Sequence, residues 1–262
     1  MQGTKQIIKR KATALKYHYM WHYASKKLGL ILVSEFPKSG GTWLCQMLSE
    51  YLELPFPRNR MPLFEKSILH GHQYYSDSFL NPICIIRDGR DVMVSLYHHM
   101  YTGHQGLRES AVEIFRSRAP FGNFENIKEN MPAFIKYIFT NFKLNGQRIN
   151  WRDFTESFLN KPNVTLVRYE DLLKNTFSEM ERVLHSLTDA PLQKNKLEET
   201  ISRFSFENQT NRMPGQENKN SFLRKGIAQD WKNHFTPEAC EVFKHYAGST
   251  LILLGYESNM DW

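Results

Sequence analysis

Glu35-Phe36-Pro37-Lys38-Ser39-Gly40-Gly41-Thr42-Trp43 is the stretch that decides how this chain is read. An apolar, strand-like segment at 30–33 precedes it, and a helical pattern runs from Trp43 to about Leu52. A strand, a tight Gly-containing turn with one Lys and hydroxyls, and then a helix start together make a phosphate cradle. Main-chain N–H groups at the helix N-terminus face the anion, the helix dipole favours negative charge, and the Lys adds a full cation. The Walker-A order puts Gly before Lys, whereas here Lys38 precedes Gly40. The loop therefore points to an anionic nucleotide held without a Walker-A magnesium site.

Outward from the loop, short apolar strands alternate with helical patterns. This is the signature of an α/β chain with a central, mainly parallel sheet flanked by helices. The spacing predicts strands over 30–36, 82–87 and 164–169 and a weaker one over 67–70. Helices are expected over 42–52, 91–101, 131–143, 177–187 and 237–254, the last with Thr236 as N-cap and Pro237 at the first helical position. The segments 102–130 and 207–222 read as loops, rich in Gly and Pro or without apolar periodicity, and stand as candidate lids over a ligand. With 262 residues, no internal repeat and no low-complexity tract, one domain is the simplest division.

Charge is unevenly placed. Residues 1–34 carry seven Lys and Arg and no Asp or Glu, which is the whole net charge of +7. Residues 1–27 read as a basic amphipathic helical segment, either docked on the domain with a solvated Lys face or in peripheral contact with an anionic membrane. A nucleic-acid binder would spread its basic residues over a binding face, so no nucleic-acid partner is expected. Three widely spaced cysteines form neither a disulfide framework nor a zinc set, and fit a reducing, cytoplasmic location. No apolar run reaches the roughly 18 residues of a membrane span, and no signal-peptide layout is present.

A second anion signal ends the 82–87 strand in Arg87-Asp88-Gly89-Arg90-Asp91, with Ser95 one turn into the following helix and Asp91 as a candidate cap. An Arg fork plus a hydroxyl suits a terminal phosphate monoester. A third signal is Arg224-Lys225-Gly226, followed by Asp230-Trp231. Each is weak alone.

Taken in order, these motifs resemble those of the soluble cytosolic sulfotransferases that use 3′-phosphoadenosine 5′-phosphosulfate (PAPS). Pro37-Lys38-Ser39-Gly40-Gly41-Thr42-Trp43 resembles that family's 5′-phosphosulfate loop. Arg87 and Ser95 resemble its 3′-phosphate pair, Val167-Arg168-Tyr169-Glu170-Asp171 its Tyr-Glu-Asp segment, and Arg224-Lys225-Gly226 its C-terminal nucleotide motif. The resemblance implies PAPS as co-substrate, 3′,5′-adenosine bisphosphate (PAP) as product and no metal. It implies cofactor contacts from Lys38, Ser39, Gly40, Gly41, Thr42, Trp43, Arg87, Ser95, Tyr169, Ser205, Phe206, Arg224, Lys225 and Gly226, with Trp43 and Phe206 at the adenine.

In Ser67-Ile68-Leu69-His70-Gly71-His72, His72 aligns best with the family's catalytic base, and His70 falls where many members carry a Lys. The two share one face of an extended strand, so either remains a candidate base. Lys38 would stabilise the leaving group. The expected activity is sulfuryl transfer to a hydroxyl, or less readily an amine, of a small-molecule or lipid or glycan acceptor; the alternative is a nucleotide-dependent phosphotransferase (kinase). Gly41 replaces a hydroxyl residue common in the family's loop, and Phe204 stands where a Thr usually lies. Lys232, Thr236 and Glu241 echo a dimerisation motif whose Val position is taken by Pro237, and the oligomeric state stays open.

Overall fold

The computed structural model describes residues 12–58, 62–103, 107–144 and 146–262. They fold as two compact units, each assembled from segments distant in sequence. The first takes residues up to 35, 40–86 and 158–204; the second takes 36–39, 87–157 and 205–262. Among the described residues six strands form: β1 (Ile31–Glu35), β2 (Ile68–Gly71), β3 (Ile83–Ile86), the short β4 (Lys143–Leu144) and β5 (Gln147–Arg148), and β6 (Thr165–Arg168).

The first unit holds the main sheet, in the order β2-β1-β3-β6 with every neighbouring pair parallel. Ile83, Cys84, Ile85 and Ile86 of β3 are all buried, as are Leu32 and Val33 of β1. Such continuous apolar runs are what a parallel sheet covered on both faces selects. The connection leaving β1 runs to β2 on one side and the one leaving β3 runs to β6 on the other, so the topology switches between the carboxyl ends of β1 and β3. That switch point is where open α/β sheets bind ligands, and Glu35 stands there.

The Gly41–Leu52 helix follows. Its Leu44, Cys45, Met47, Leu48 and Tyr51 recur at helical spacing and pack on Val33, Ile68, Ile83, Ile85 and Val167. Full burial of each large side chain stabilises by about 1.5–3 kcal/mol, and Leu44→Ala would cost about 2–5 kcal/mol. Glu53 ends the helix in a left-handed conformation, its N–H returned to Ser49 and Glu50 carbonyls.

Residues 12–19 are helical and run through a π-helical turn, Met20–Ala24, into Ser25–Leu28. Met20, Trp21 and Ala24 are buried, while Leu15, Tyr19 and Tyr23 point outward. The helix is therefore docked along one face. Most of the expected basic excess, at Lys5, Lys9, Arg10 and Lys11, lies outside the described residues.

In the second unit, the Gly89–Tyr97 helix starts where Asp88 accepts from the Arg90 N–H at 2.9 Å. Asp88, rather than Asp91, is thus the cap. The helix continues as a π-helical turn over His98–Thr102. Ile127–Thr140 packs against Pro237–Leu253, whose N-cap is Thr236, accepting from Ala239 N–H at 3.2 Å.

Two expectations are corrected. The segment 102–130 is not a plain loop: it contains the Glu109–Ser117 helix and the start of Ile127–Thr140, while residues 104–106 lie outside the described set. Its aromatics are engaged with the helical stretch before it, Phe121 stacking on Tyr97 at 5.8 Å and Phe124 on Tyr101 at 5.2 Å. The segment 207–222 begins inside a short helix, Phe206–Thr210, and only then becomes irregular.

Candidate active site

In the first unit, the carboxyl ends of β1 and β2 bring Glu35, Gly41, His70 and His72 together. Glu35 is only 4% exposed. Its Oε2 accepts from the Gly41 N–H at 2.7 Å, and its Oε1 accepts from His70 Nε2 at 3.0 Å. Burial alone would push this carboxyl up. The hydrogen bond and charge of His70, then the charge of His72 and the Gly41 N–H, outweigh it and hold the pKa at about 2.

The main-chain carbonyl of Glu35 accepts from His72 Nδ1 at 2.8 Å. A carbonyl only accepts, so Nδ1 carries the proton and the lone pair of neutral His72 sits on Nε2. Burial first, then neighbouring His70, lower the His72 pKa below its ordinary value, against the pull of Glu35. The imidazole is thus unprotonated near neutral pH, with one nitrogen fixed and the other able to take a proton. His70, whose Nε2–H is given to the carboxylate, is less suited to that task.

Gly41 leaves room for this cluster. A Cβ there would lie 2.7 Å from His70 Nε2 and 2.8 Å from Glu35 Cδ. Trp43, half-buried, donates from Nε1 to the Phe204 carbonyl at 2.9 Å and meets the edge of Tyr169 at 6.2 Å. Thr42 is half-buried in the first turn of the same helix.

In the second unit, the loop residue Lys38 has φ 76° and its side-chain Nζ lies 4.0 Å from the Phe222 ring centre. A left-handed non-Gly residue costs about 1–2 kcal/mol, and such strain concentrates at functional turns. Ser39 is fully buried, its Oγ without a hydrogen-bond partner among the described residues.

Arg87 ties this loop to the C-terminal motif. Its Nη1 donates to the Lys38 carbonyl at 3.4 Å and its Nη2 to the Ile227 carbonyl at 3.1 Å. Asp91 accepts from the N–H groups of Gln229 at 2.7 Å and Trp231 at 2.9 Å, fixing that motif on the Gly89–Tyr97 helix. Burial pushes the Asp91 carboxyl up, partly offset by Arg87.

Asp230 pairs with Arg224 and, at 2.6 Å, with Lys225 Nζ. Burial would raise this carboxyl, but hydrogen bonds from His234, Lys225 and Arg224 hold it well below the carboxylate range. Gly226, at φ 65°, lies against the Phe206 ring, where a Cβ would come within 2.5 Å. Arg212 stands over the same ring at 5.0 Å. Ser205 caps the Phe206–Thr210 helix, its Oγ accepting from Asn208 N–H at 3.2 Å, and Ser95 is half-buried on its helix.

The second unit therefore gathers Lys38, Ser39, Arg87, Arg224, Lys225, Gly226 and Phe206. A phosphate-bearing donor fits this set, because it holds fixed cations together with a buried hydroxyl lacking a partner. Sequence reasoning missed Glu35, Asp91 and Asp230 as organisers. A charged residue two positions after the apolar run Ile31-Leu32-Val33, inside the same strand pattern, was the available signal for Glu35, since an unpaired buried charge is costly. Among the described residues no cluster of three or more His, Cys, Asp or Glu could hold a metal ion, and no helix is long and apolar enough to cross a membrane.

A family model described as a sulfotransferase domain matches residues 67–255. Sulfotransferase 1E1 of Cavia porcellus is 25% identical, the alignment covering 85% of this chain and 85% of the relative. A 3-beta-hydroxysteroid sulfotransferase of the same species is 24% identical over 79% of this chain and 78% of its own. The fold is shared with mouse sulfotransferase SULT7A1, solved in complex with PAP, at a TM-score of 0.60 and 18% identity, covering 87% of this chain and 89% of that one.

Proposed function

This chain belongs to the sulfotransferase domain family and is a PAPS-dependent sulfotransferase; we propose that His72 is its general base, that Lys38 stabilises its leaving group, and that its acceptor is a small-molecule hydroxyl. The donor supplies an activated sulfuryl group when bound. His72 Nε2 takes the proton of the attacking hydroxyl while Nδ1 stays held by the Glu35 carbonyl. Lys38 meets negative charge developing on the leaving side, where a fixed cation is worth about 3–4 kcal/mol of transition-state stabilisation.

Arg87, Lys225 and Arg224 are assigned to the 3′ phosphate, with Ser95 beside them. Ser39, Gly40, Gly41 and Thr42 hold the 5′ side. Phe206, with Ser205, and Trp43, with Tyr169, are assigned to the adenine. The hydroxyl acceptor is favoured by the steroid alcohol named for one relative. A lipid alcohol gains support from Leu15, Tyr19 and Tyr23, which turn outward on a helix carrying exposed Lys26 and Lys27. The free thiols of Cys45, Cys84 and Cys240 fit a cytoplasmic setting.

The observation that carries this reading is the double donation of Arg87 to the carbonyls of Lys38 and Ile227. It brings two cation-bearing motifs together, which supports a donor with two anionic ends. The test is transfer of labelled sulfate from PAPS to a panel of phenols, alcohols, amines, sugars and lipids. Labelled hydroxyl products are expected. Label on amines alone would overturn the acceptor class, and phosphate transfer from ATP without sulfate transfer would overturn the reaction.

A further inference from the structure

Glu35 is a buried carboxylate at the switch point of the sheet, and every atom able to accept a hydrogen bond is in use. Oε2 takes the Gly41 N–H at 2.7 Å, Oε1 takes His70 Nε2–H at 3.0 Å, and the main-chain oxygen takes His72 Nδ1–H at 2.8 Å. One residue therefore touches the first N–H of the phosphate-loop helix and both imidazoles that compete for the role of base. His70 sits beside β1 in register with Val33, and its ring lies 5.4 Å from that of His72.

The arrangement excludes a side chain at position 41. A Cβ there would lie 2.7 Å from His70 Nε2 and 3.0 Å from Glu35 Oε1. Glu35, Gly41 and His70 are thus one interlocking set: the carboxylate fills the space a loop hydroxyl would need, and it takes over one N–H that would otherwise face the donor. Burying a carboxylate is costly unless it is paired and fully hydrogen-bonded, and this one is both. A carboxylate beside the donor loop also opposes the donor's charge, which a purely stabilising group would not do.

We propose that Glu35 is a positioning residue of the sulfuryl transfer, its carboxylate replacing a loop hydroxyl so as to lock His70 and the loop N–H, and its carbonyl setting the tautomer of His72. This rests on the reading of His72 as base and of the Gly41–Leu52 helix as donor loop. Glu35 gives up donor affinity in exchange for a fixed imidazole.

The experiment uses the full-length chain. PAP binding is read by calorimetry, and histidine tautomers by NMR of ¹⁵N-labelled His, for wild type, Glu35→Gln, Glu35→Ala, Gly41→Ser and Glu35→Ser with Gly41→Ser. Glu35→Gln keeps an acceptor for Gly41 N–H without the charge, so PAP is expected to bind at least as tightly as to wild type, while His70 loses its fixed Nε2–H form. Glu35→Ala keeps the main-chain carbonyl, so His72 should stay in its Nδ1–H form while His70 loses its fixed Nε2–H form. Gly41→Ser should lose about tenfold in PAP affinity through its clash, and adding Glu35→Ser should restore it. A wild-type His72 not held in the Nδ1–H form, an unchanged His70 tautomer in Glu35→Ala, weaker PAP binding by Glu35→Gln, or simple additivity of the 35 and 41 substitutions would overturn the proposal. Failure of wild type to bind PAP would instead strike the donor reading, leaving the tautomer result to decide the role of Glu35 by itself.

Discussion

The Nδ1–H of His72 donates to the main-chain carbonyl of Glu35 over 2.8 Å. This contact distinguishes the two neighbouring histidines chemically, because it leaves the Nε2 lone pair of His72 available while His70 gives its Nε2–H to the Glu35 carboxylate. His72→Ala should lower turnover by about 10²–10⁴-fold and leave PAP binding unchanged. Full activity in His72→Ala with loss in His70→Ala would move the role to His70.

The pH profile follows from the same geometry. The base works unprotonated, and burial followed by His70 lowers the His72 pKa below 6.5. The rate kcat/KM should therefore rise with pH through a limb lying below pH 6.5 and be level at neutral pH. A limb centred above pH 7 would contradict the assignment.

Stability at acid pH should depend on Glu35. Its folded pKa, about 2, is depressed from the ordinary 4.5, so the stabilisation is complete above pH 4.5 and lost as pH falls toward 2. At 1.36 kcal/mol per pH unit this is worth about 3 kcal/mol. Urea midpoints measured against pH should fall more steeply for wild type than for Glu35→Gln across that window.

Lys38→Met should reduce kcat on the order of 10²-fold or more, with a much smaller change in PAP affinity, because the leaving-group charge appears only as the bond breaks. Equal losses in both would make Lys38 a binding residue alone.

Arg87→Ala should weaken PAP by about 1.5–3 kcal/mol and weaken 5′-AMP, which lacks the 3′ phosphate, by less, the smaller loss reporting the missing tie to the Lys38 loop. Arg87→Lys should not rescue, since an ammonium cannot reproduce the planar fork that reaches both the Lys38 and Ile227 carbonyls. Calorimetry with the two nucleotides reads the difference.

The sheet was legible because its strands are unbroken apolar runs: the segments read as 30–36, 82–87 and 164–169 became Ile31–Glu35, Ile83–Ile86 and Thr165–Arg168. Local signals also found the Thr236 cap and the Lys38 turn. The helices at Glu109–Ser117 and Lys194–Arg203 escaped notice because each buries only one or two side chains, Val112 in one and Leu197 and Thr200 in the other, leaving little apolar periodicity to read. Trp151–Phe158 was findable, since Trp151, Phe154, Thr155 and Phe158 are all buried at helical spacing. In the site, the cations announced themselves as motifs. Glu35, Asp91 and Asp230 did not, because their roles depend on partners that only the fold brings near: His70 lies 35 residues from Glu35, and Trp231 lies 140 from Asp91.

The central claim is that fixed cations from distant stretches of the chain hold a doubly anionic adenosine donor. Its most direct test is the shift in melting temperature with PAP, set beside 5′-AMP, ADP and ATP with magnesium. The account predicts a large rise with PAP, little with the others, and its loss in Arg87→Ala. A rise with ATP and magnesium and none with PAP would contradict it.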